Sequence, residues 1–154
     1  EMSASLVGSE MCIRDRNAKE LVHRNNKNSE LTVYGYTPMM VSVQCVQKTM
    51  DHCNHACVQY VLKDRYQKEF RGVCSCEFCY NTIYNTLPTS LLKEKEKAEK
   101  LGVKAYRLSF TIETQQETEK IVRAFVDVYL RGQKPDGQMQ TEETTKGHFQ
   151  RGVE

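Results

Sequence analysis

Six of the seven cysteines of this 154-residue chain fall in one stretch: Cys45, Cys53, Cys57, Cys74, Cys76 and Cys79. Two pairs have the spacing of ligands, Cys53-Asn-His-Ala-Cys57 and Cys76-Glu-Phe-Cys79. Thiolates are soft ligands that select zinc or iron–sulfur clusters. Clustering of this density reads as a metal site rather than a disulfide scaffold in a chain whose opening residues lack a secretory pattern. The plain alternative is a set of reduced thiols, which are among the most buried side chains. That accounts for one or two cysteines better than for six. Spacing alone does not separate zinc from an iron–sulfur cluster. Seven residues lie between Cys45 and Cys53, three between Cys53 and Cys57, and sixteen between Cys57 and Cys74, so no two matched C-x2-C knuckles emerge. His52 and His55 have ligand chemistry but read more simply as solvated loop histidines.

The first sixteen residues, EMSASLVGSEMCIRDR, show neither a helical nor a strand period. They lack the basic start and apolar run of a signal peptide. They resemble translated sequencing-adapter read-through, so residues 1–16, Cys12 included, are expected to lie outside the fold, and the gene-derived chain to start near Asn17, inside a longer protein. The formal charge of the whole chain is +2. Leaving out that segment removes two arginines and three acids and raises the charge to +3, too slight a bias to argue for or against a nucleic-acid partner. No apolar run approaches the ~18 residues of a membrane span, so no membrane partner is expected. Reduced cysteines point to the cytoplasm.

Along the chain, 18–25 reads as the end of a helix and 31–35 as a short strand closed by glycine. Residues 60–70 read as a hairpin turning near Tyr66 to Lys68 without a glycine. Thr89 or Ser90 is placed to cap a helix that stops at Gly102, with Leu91, Ala98 and Leu101 on one face. The Lys–Glu alternation over 92–100 reads as a solvated face with i,i+4 pairs. Residues 103–110 alternate as a strand. Thr114-Gln-Gln-Glu117 is a capping box that opens a helix over 115–131, with Ile121, Val122, Phe125, Val128 and Tyr129 on its apolar stripe. Residues 134–147 are polar and expected to be mobile. Alternating strands and helices imply parallel βαβ units of a larger α/β domain. Arg107, opposite the Tyr106 stripe, and Glu113, just past a strand end where barrel enzymes keep functional groups, are weighed against a structural ion pair, which is slightly favoured.

ELTVYGYTPMMVSVQC, CNHAC, LKDRYQKEF, CEFCYNTIYNTLPTSLL, YRLSFTIE and KGHFQRGV, in this order, resemble the U-32 peptidase family, often named collagenase-like proteases. The resemblance runs from about Glu30 to Val153. It implies a (β/α) TIM-like barrel of which residues 17–131 would be the C-terminal part, with a cysteine-rich insert over 45–79 and a polar tail over 132–154. Several members are implicated in hydroxylating transfer or ribosomal RNA bases or a quinone ring, and those carry a 4Fe–4S cluster on four cysteines. In the family pattern one cysteine lies three residues after the strand-end glycine, where this chain has Pro38. The next matches Cys45, and the C-x3-C pair matches Cys53 and Cys57. Cys79 would supply the fourth thiolate, with Cys76 and Cys74 in reserve.

Three functions follow as expectations. The first is an iron–sulfur-dependent enzyme acting in RNA base hydroxylation, with RNA as its partner. The second is a peptidase acting on a peptide substrate. It would need a nucleophile and base in reach or a metal with an open position, yet there is no HExxH helix and no GxSxG elbow. His52, His55 or His148 could serve as base, but six thiols leave the nucleophile unassigned. The third is a non-enzymatic module stapled by zinc. The catalytic residues are not legible.

Overall fold

The computed structural model describes residues 28–50, 53–134, 143–146 and Phe149. The adapter-like opening and the expected helix over 18–25 lie outside the described residues, as do His52 and His148. The chain divides into two units. The first comprises the residues up to Gly35, Thr89–Phe110 and those from Thr114 onward; the second comprises Tyr36–Pro88 and Thr111–Glu113.

The first unit is built on β1 (Glu30–Gly35), whose Leu31, Val33 and Tyr34 are buried. β1 lies between β6 (Thr89–Ser90), antiparallel to it, and β7 (Ala105–Ser109), parallel to it. The parallel pairing is the one that the alternating order of elements predicts. Gly35 pairs with Thr89 and Tyr34 with Ser90, so the chain departs from β1 and comes back in β6 at hydrogen-bonded neighbours. Between β6 and β7 runs α2 (Lys95–Lys100), preceded by a 3-10 turn over Leu92–Glu94. Leu91, Ala98 and Leu101 are buried as the helical spacing requires, and Gly102 ends the helix at φ +61°, a backbone state cheapest for glycine. Thr89 and Ser90 do not cap this helix. They are strand residues, because the Ser90 amide donates to the Thr145 carbonyl at 2.8 Å and the Leu91 amide to that of Val33 at 2.9 Å. The Lys–Glu face is solvated with one exception: Glu94 is buried and paired with Lys97 and Lys146.

The helix after β7 follows the expected box. Thr114 Oγ1 accepts from the Glu117 amide while Glu117 Oε2 accepts from the Thr114 amide, and α3 runs over Gln115–Phe125. The helix then widens into a π turn over Val126–Leu130 before Gly132. Ala124, Phe125 and Val128 pack with Leu31, Val33, Tyr34, Leu91 and Phe149 in one core, joined by Ile121 and Tyr129 at its margin. Phe149 and the Thr145–Thr89 bridge make the described part of the tail a component of this unit.

The second unit is a four-stranded antiparallel sheet, ordered β2 (Pro38–Ser42), β5 (Tyr80–Tyr84), β4 (Glu69–Ser75), β3 (Val58–Lys63). Its expected hairpin is β3–β4. The turn needs no glycine because Asp64 Oδ1 accepts from the Tyr66 and Lys68 amides, at 2.7 and 2.9 Å, while Gln67 takes φ +61°. This is the Asx-type turn that aspartate favours. A helical turn, α1 (Val46–Thr49), follows β2. The unit holds little buried hydrocarbon: Met39, Met40, Val41, Val43, Met50, Val61, Leu62 and Phe78 are exposed. The fold is thus mixed α/β, with two open sheets and no closed barrel among the described residues.

Because Leu31 sits at 1 % exposure in the core, Leu31→Ala should cost about 2–5 kcal/mol. Thr114→Ala, which removes a cap from an exposed helix start, should cost only about 1 kcal/mol. Urea unfolding of the two variants checks both, and equal losses would contradict the assignment of Leu31 to the core.

Candidate metal centre

Strand β4 gives the second unit its buried face. Along it burial alternates, with Gly72 and Cys74 inward and Arg71, Val73 and Ser75 outward, the period of two that a half-buried strand imposes, and Cys76, the first residue of the turn after β4, is buried as well. Pairing carries that face to its neighbours. Tyr60 of β3 stands opposite Gly72; on β5, Asn81 stands opposite Cys74 and Ile83 opposite Gly72. The chain after β2 brings Cys45 onto this face, and Asn81 Nδ2 holds it there by donating to the carbonyl of Gln44.

Three sulfurs meet as a result. Cys45 Sγ lies 3.4 Å from Cys74 Sγ, and Cys74 Sγ lies 3.6 Å from Cys76 Sγ. All three side chains are buried, Cys74 completely, and the Tyr60 ring packs against them. All six described cysteines are free thiols. Cys76 also donates to the carbonyl of Ala56 at 2.8 Å, and Gln47 Nε2 donates to the same oxygen at 3.0 Å. The Cys53–Cys57 loop is thereby tied to the cluster by its backbone.

The thiols are not equivalent. The Lys48 amide near the start of α1 lies toward the Cys45 sulfur, short of cap hydrogen-bond geometry. Together with the contact from Cys74 it holds the Cys45 thiol below its ordinary value. Burial, then the neighbouring Cys45 and Cys76, pushes the Cys74 thiol up to about 12. Burial, and then the charge of Cys74 and Cys45, also raises the Tyr60 phenol. Two polar atoms on this face are enclosed without a hydrogen-bond partner, Tyr60 Oη and Asn81 Oδ1. A buried polar group left so costs roughly 1–3 kcal/mol.

Of the four ligands implied by the family resemblance, Cys45 lies in this cluster, while Cys53, Cys57 and Cys79 are exposed. Cys74 and Cys76, held in reserve, are the two that join Cys45. The exposed thiols remain close along the chain. Cys57 follows Ala56, whose carbonyl receives Cys76, and Cys79 takes φ +52° in the β4–β5 turn with its thiol directed at the Cys76 carbonyl, 3.7 Å away. His55 is exposed, at φ +56°. The contributions of Gly72, Tyr60 and Asn81 escaped the sequence reading. The Cys74-x-Cys76 alternation was the available signal for the inward pair.

Metal–sulfur bonds of ~2.3 Å around a tetrahedral ion put neighbouring sulfurs roughly 3.8 Å apart. The two observed separations are close to that, and the donor set suits a soft metal. Among the described residues no group of three or more His, Cys, Asp or Glu side chains is placed to hold a metal ion. The fit is thus one of donor type and pairwise spacing.

Arg107 forms an exposed ion pair with Glu30. Glu113 Oε2 accepts from the amides of Thr111 and Ile112, at 2.7 and 2.9 Å, and so closes its own loop.

Protein-family models, curated proteins and solved structures yield no match to this chain. Among the described residues no helix is long and apolar enough to cross a membrane.

Two outcomes follow for the reduced, metal-free protein. Alkylation followed by peptide mass mapping should label Cys53, Cys57 and Cys79 well before Cys74, and equal rates would contradict the burial of Cys74. The second concerns pH. With a folded value near 12 against an ordinary 9.0, Cys74 keeps its proton in the folded state while the unfolded chain loses it. Its contribution is full below pH 9 and is lost as pH rises toward 12. Urea unfolding of wild type should therefore weaken across that window relative to Cys74→Val, which has no proton to lose.

Proposed function

We propose that the second unit is a thiolate metal centre within a larger enzyme of the kind its motifs resemble, the U-32 peptidase family, with Cys45, Cys74 and Cys76 as its inner thiolates. The observation that carries this reading is the burial of three free thiols together, with the Cys74 sulfur in contact with those of Cys45 and Cys76. They come from segments 29 residues apart and fill the place where a small unit would ordinarily keep hydrocarbon. A unit so poor in buried apolar surface gains folding free energy from coordination, since metal binding and folding are one equilibrium in such loops. The fourth thiolate would come from Cys57 or Cys79, each next to the backbone that contacts Cys76.

The resemblance supports a 4Fe–4S cluster, in an enzyme acting in RNA base hydroxylation, on a (β/α) barrel completed by further chain. When bound, such a cluster supplies electron transfer. The residues of this chain would hold it, shield it through the packing of Tyr60, and fix Cys45 through Asn81. The spacing favours a second reading. In a cluster each thiolate takes its own iron, which spreads the sulfurs further apart than sulfurs that share one ion. Separations of 3.4 and 3.6 Å suit a single zinc, and so a zinc-stapled binding module. The peptidase reading has less support, because the thiols' hydrogen bonds run to one another, to Gln47 and to backbone carbonyls, with His55, the single histidine among the described residues, not among these partners.

Protein purified without oxygen should contain metal. Iron with equimolar sulfide and broad violet absorption would favour the cluster, whereas zinc without colour would favour the staple. Cys45→Ala, Cys74→Ala and Cys76→Ala should each lose most of the metal. Full occupancy in Cys74→Ala, or wild-type protein without any metal, would overturn the centre.

A further inference from the structure

Beyond the thiolate centre, and without any metal, we infer that Cys45 and Cys74 form a redox pair. The pair closes to a disulfide when the chain meets a peroxide and opens again under a thiol reductant. The two sulfurs lie 3.4 Å apart on the inner face of the second unit. They need approach by only about 1.4 Å to reach the ~2.05 Å of a sulfur–sulfur bond. Both are free thiols. Cys74 makes both of the sulfur–sulfur contacts seen among the described residues, with Cys45 and, at 3.6 Å, with Cys76. Two observations favour Cys45 as its redox partner. That contact is the shorter, and the Cys76 sulfur is already engaged with the Ala56 carbonyl at 2.8 Å. Cys53, Cys57 and Cys79 are exposed and stand outside these contacts.

Burial sets the order of events. Cys45 keeps 4 % exposure and Cys74 has none, so a small oxidant meets Cys45 first. Attack of the Cys45 sulfur on hydrogen peroxide breaks the O–O bond and leaves a sulfenic acid, S–OH, with release of one water. The Cys74 sulfur then attacks the Cys45 sulfur. The S–S bond forms, the S–O bond breaks, and the hydroxide leaves with the Cys74 proton as a second water. Two thiols and one peroxide thus give one disulfide and two waters, the two electrons passing from the sulfurs to the peroxide oxygens. A thiol already in contact with the sulfenic acid condenses with it before further oxidation to the irreversible sulfinic acid. The bond would also act as a lock. Cys45 follows β2 and Cys74 lies on β4, and β5 stands between those strands in the sheet. A link across 29 positions of the chain restrains the unfolded state. It withdraws Cys45 and Cys74 from ligation, so disulfide and metal are alternatives at these two residues.

The test uses the full chain, reduced, stripped of metal by a chelator and treated with a slight excess of hydrogen peroxide. Remaining thiols are then alkylated, and tryptic peptides are mapped without reduction. The peptide carrying Cys45 should be joined to the one carrying Cys74, with two thiols lost to alkylation and both regained after reductant. The Cys74 peptide also holds Cys76 and Cys79. Cys76→Ala and Cys79→Ala should therefore keep the link, and Cys74→Ala should lose it. Oxidation of wild type in urea is a control that needs no variant to fold, and there Cys45 should also pair with the peptide of Cys53 and Cys57. The oxidised wild type should unfold at a higher urea concentration than the reduced. Three results would each overturn the pair: the same mixture of links with and without urea, a link that persists in Cys74→Ala, or Cys45 carried to sulfinic acid with no link. Equal urea midpoints would overturn the lock. Each of these results leaves the thiolate centre standing, since that rests on metal content.

Discussion

The second unit depends on the contact between sulfur atoms on the inner face of its sheet. Cys74 is wholly buried, and its sulfur touches those of Cys45 and Cys76. Most units of this size are held by hydrocarbon, which gains on the order of 25 cal/mol for each Å² withdrawn from water. Here Met39, Met40 and Val41 of β2 and Val58, Val61 and Leu62 of β3 are exposed, and the small thiols occupy the interior. Sulfur is a modest hydrophobe but an exceptional ligand.

The first unit is held differently. Leu31 and Val33 of the middle strand meet the apolar stripe of α3 and the buried leucines ahead of α2. Tyr129 Oη donates to the Leu91 carbonyl at 3.0 Å, and Lys95 Nζ to that of Val128 at 2.9 Å. The two helices are thus joined by polar contacts as well as by packing. Glu94, buried between Lys97 and Lys146, has its carboxyl held below the usual range by Lys146 first and Lys97 second. That links the tail to the turn before α2.

Where the signal was local, the sequence was readable. The Thr114–Glu117 box needs four residues and nothing else, and it is present as expected. The β3–β4 hairpin was placed correctly although its turn lacks glycine, because Asp64 supplies the missing geometry. Strand β5 was not read as a strand. Its inward residues are Asn81 and Ile83 and its outward ones Tyr80, Thr82 and Tyr84, so its polarity runs against the usual alternation. The cysteine region was evident from composition. Which thiols meet was not, because that depends on the register of β4 with β3 and β5, a matter of pairing between distant segments. The closed barrel was an inference from likeness to a family, with no counterpart among the described strands.

The pairing of Gly35 with Thr89 has an architectural consequence. The long excursion of the chain through Tyr36–Pro88 begins and ends at two residues that are already ladder partners in the first unit. Closing a loop costs little more as it lengthens, the penalty growing only with the logarithm of its size. An excursion anchored in this way can therefore be enlarged, shortened or exchanged without disturbing the sheet that carries it. The antiparallel β1–β6 pair acts as a socket for the cysteine-bearing excursion.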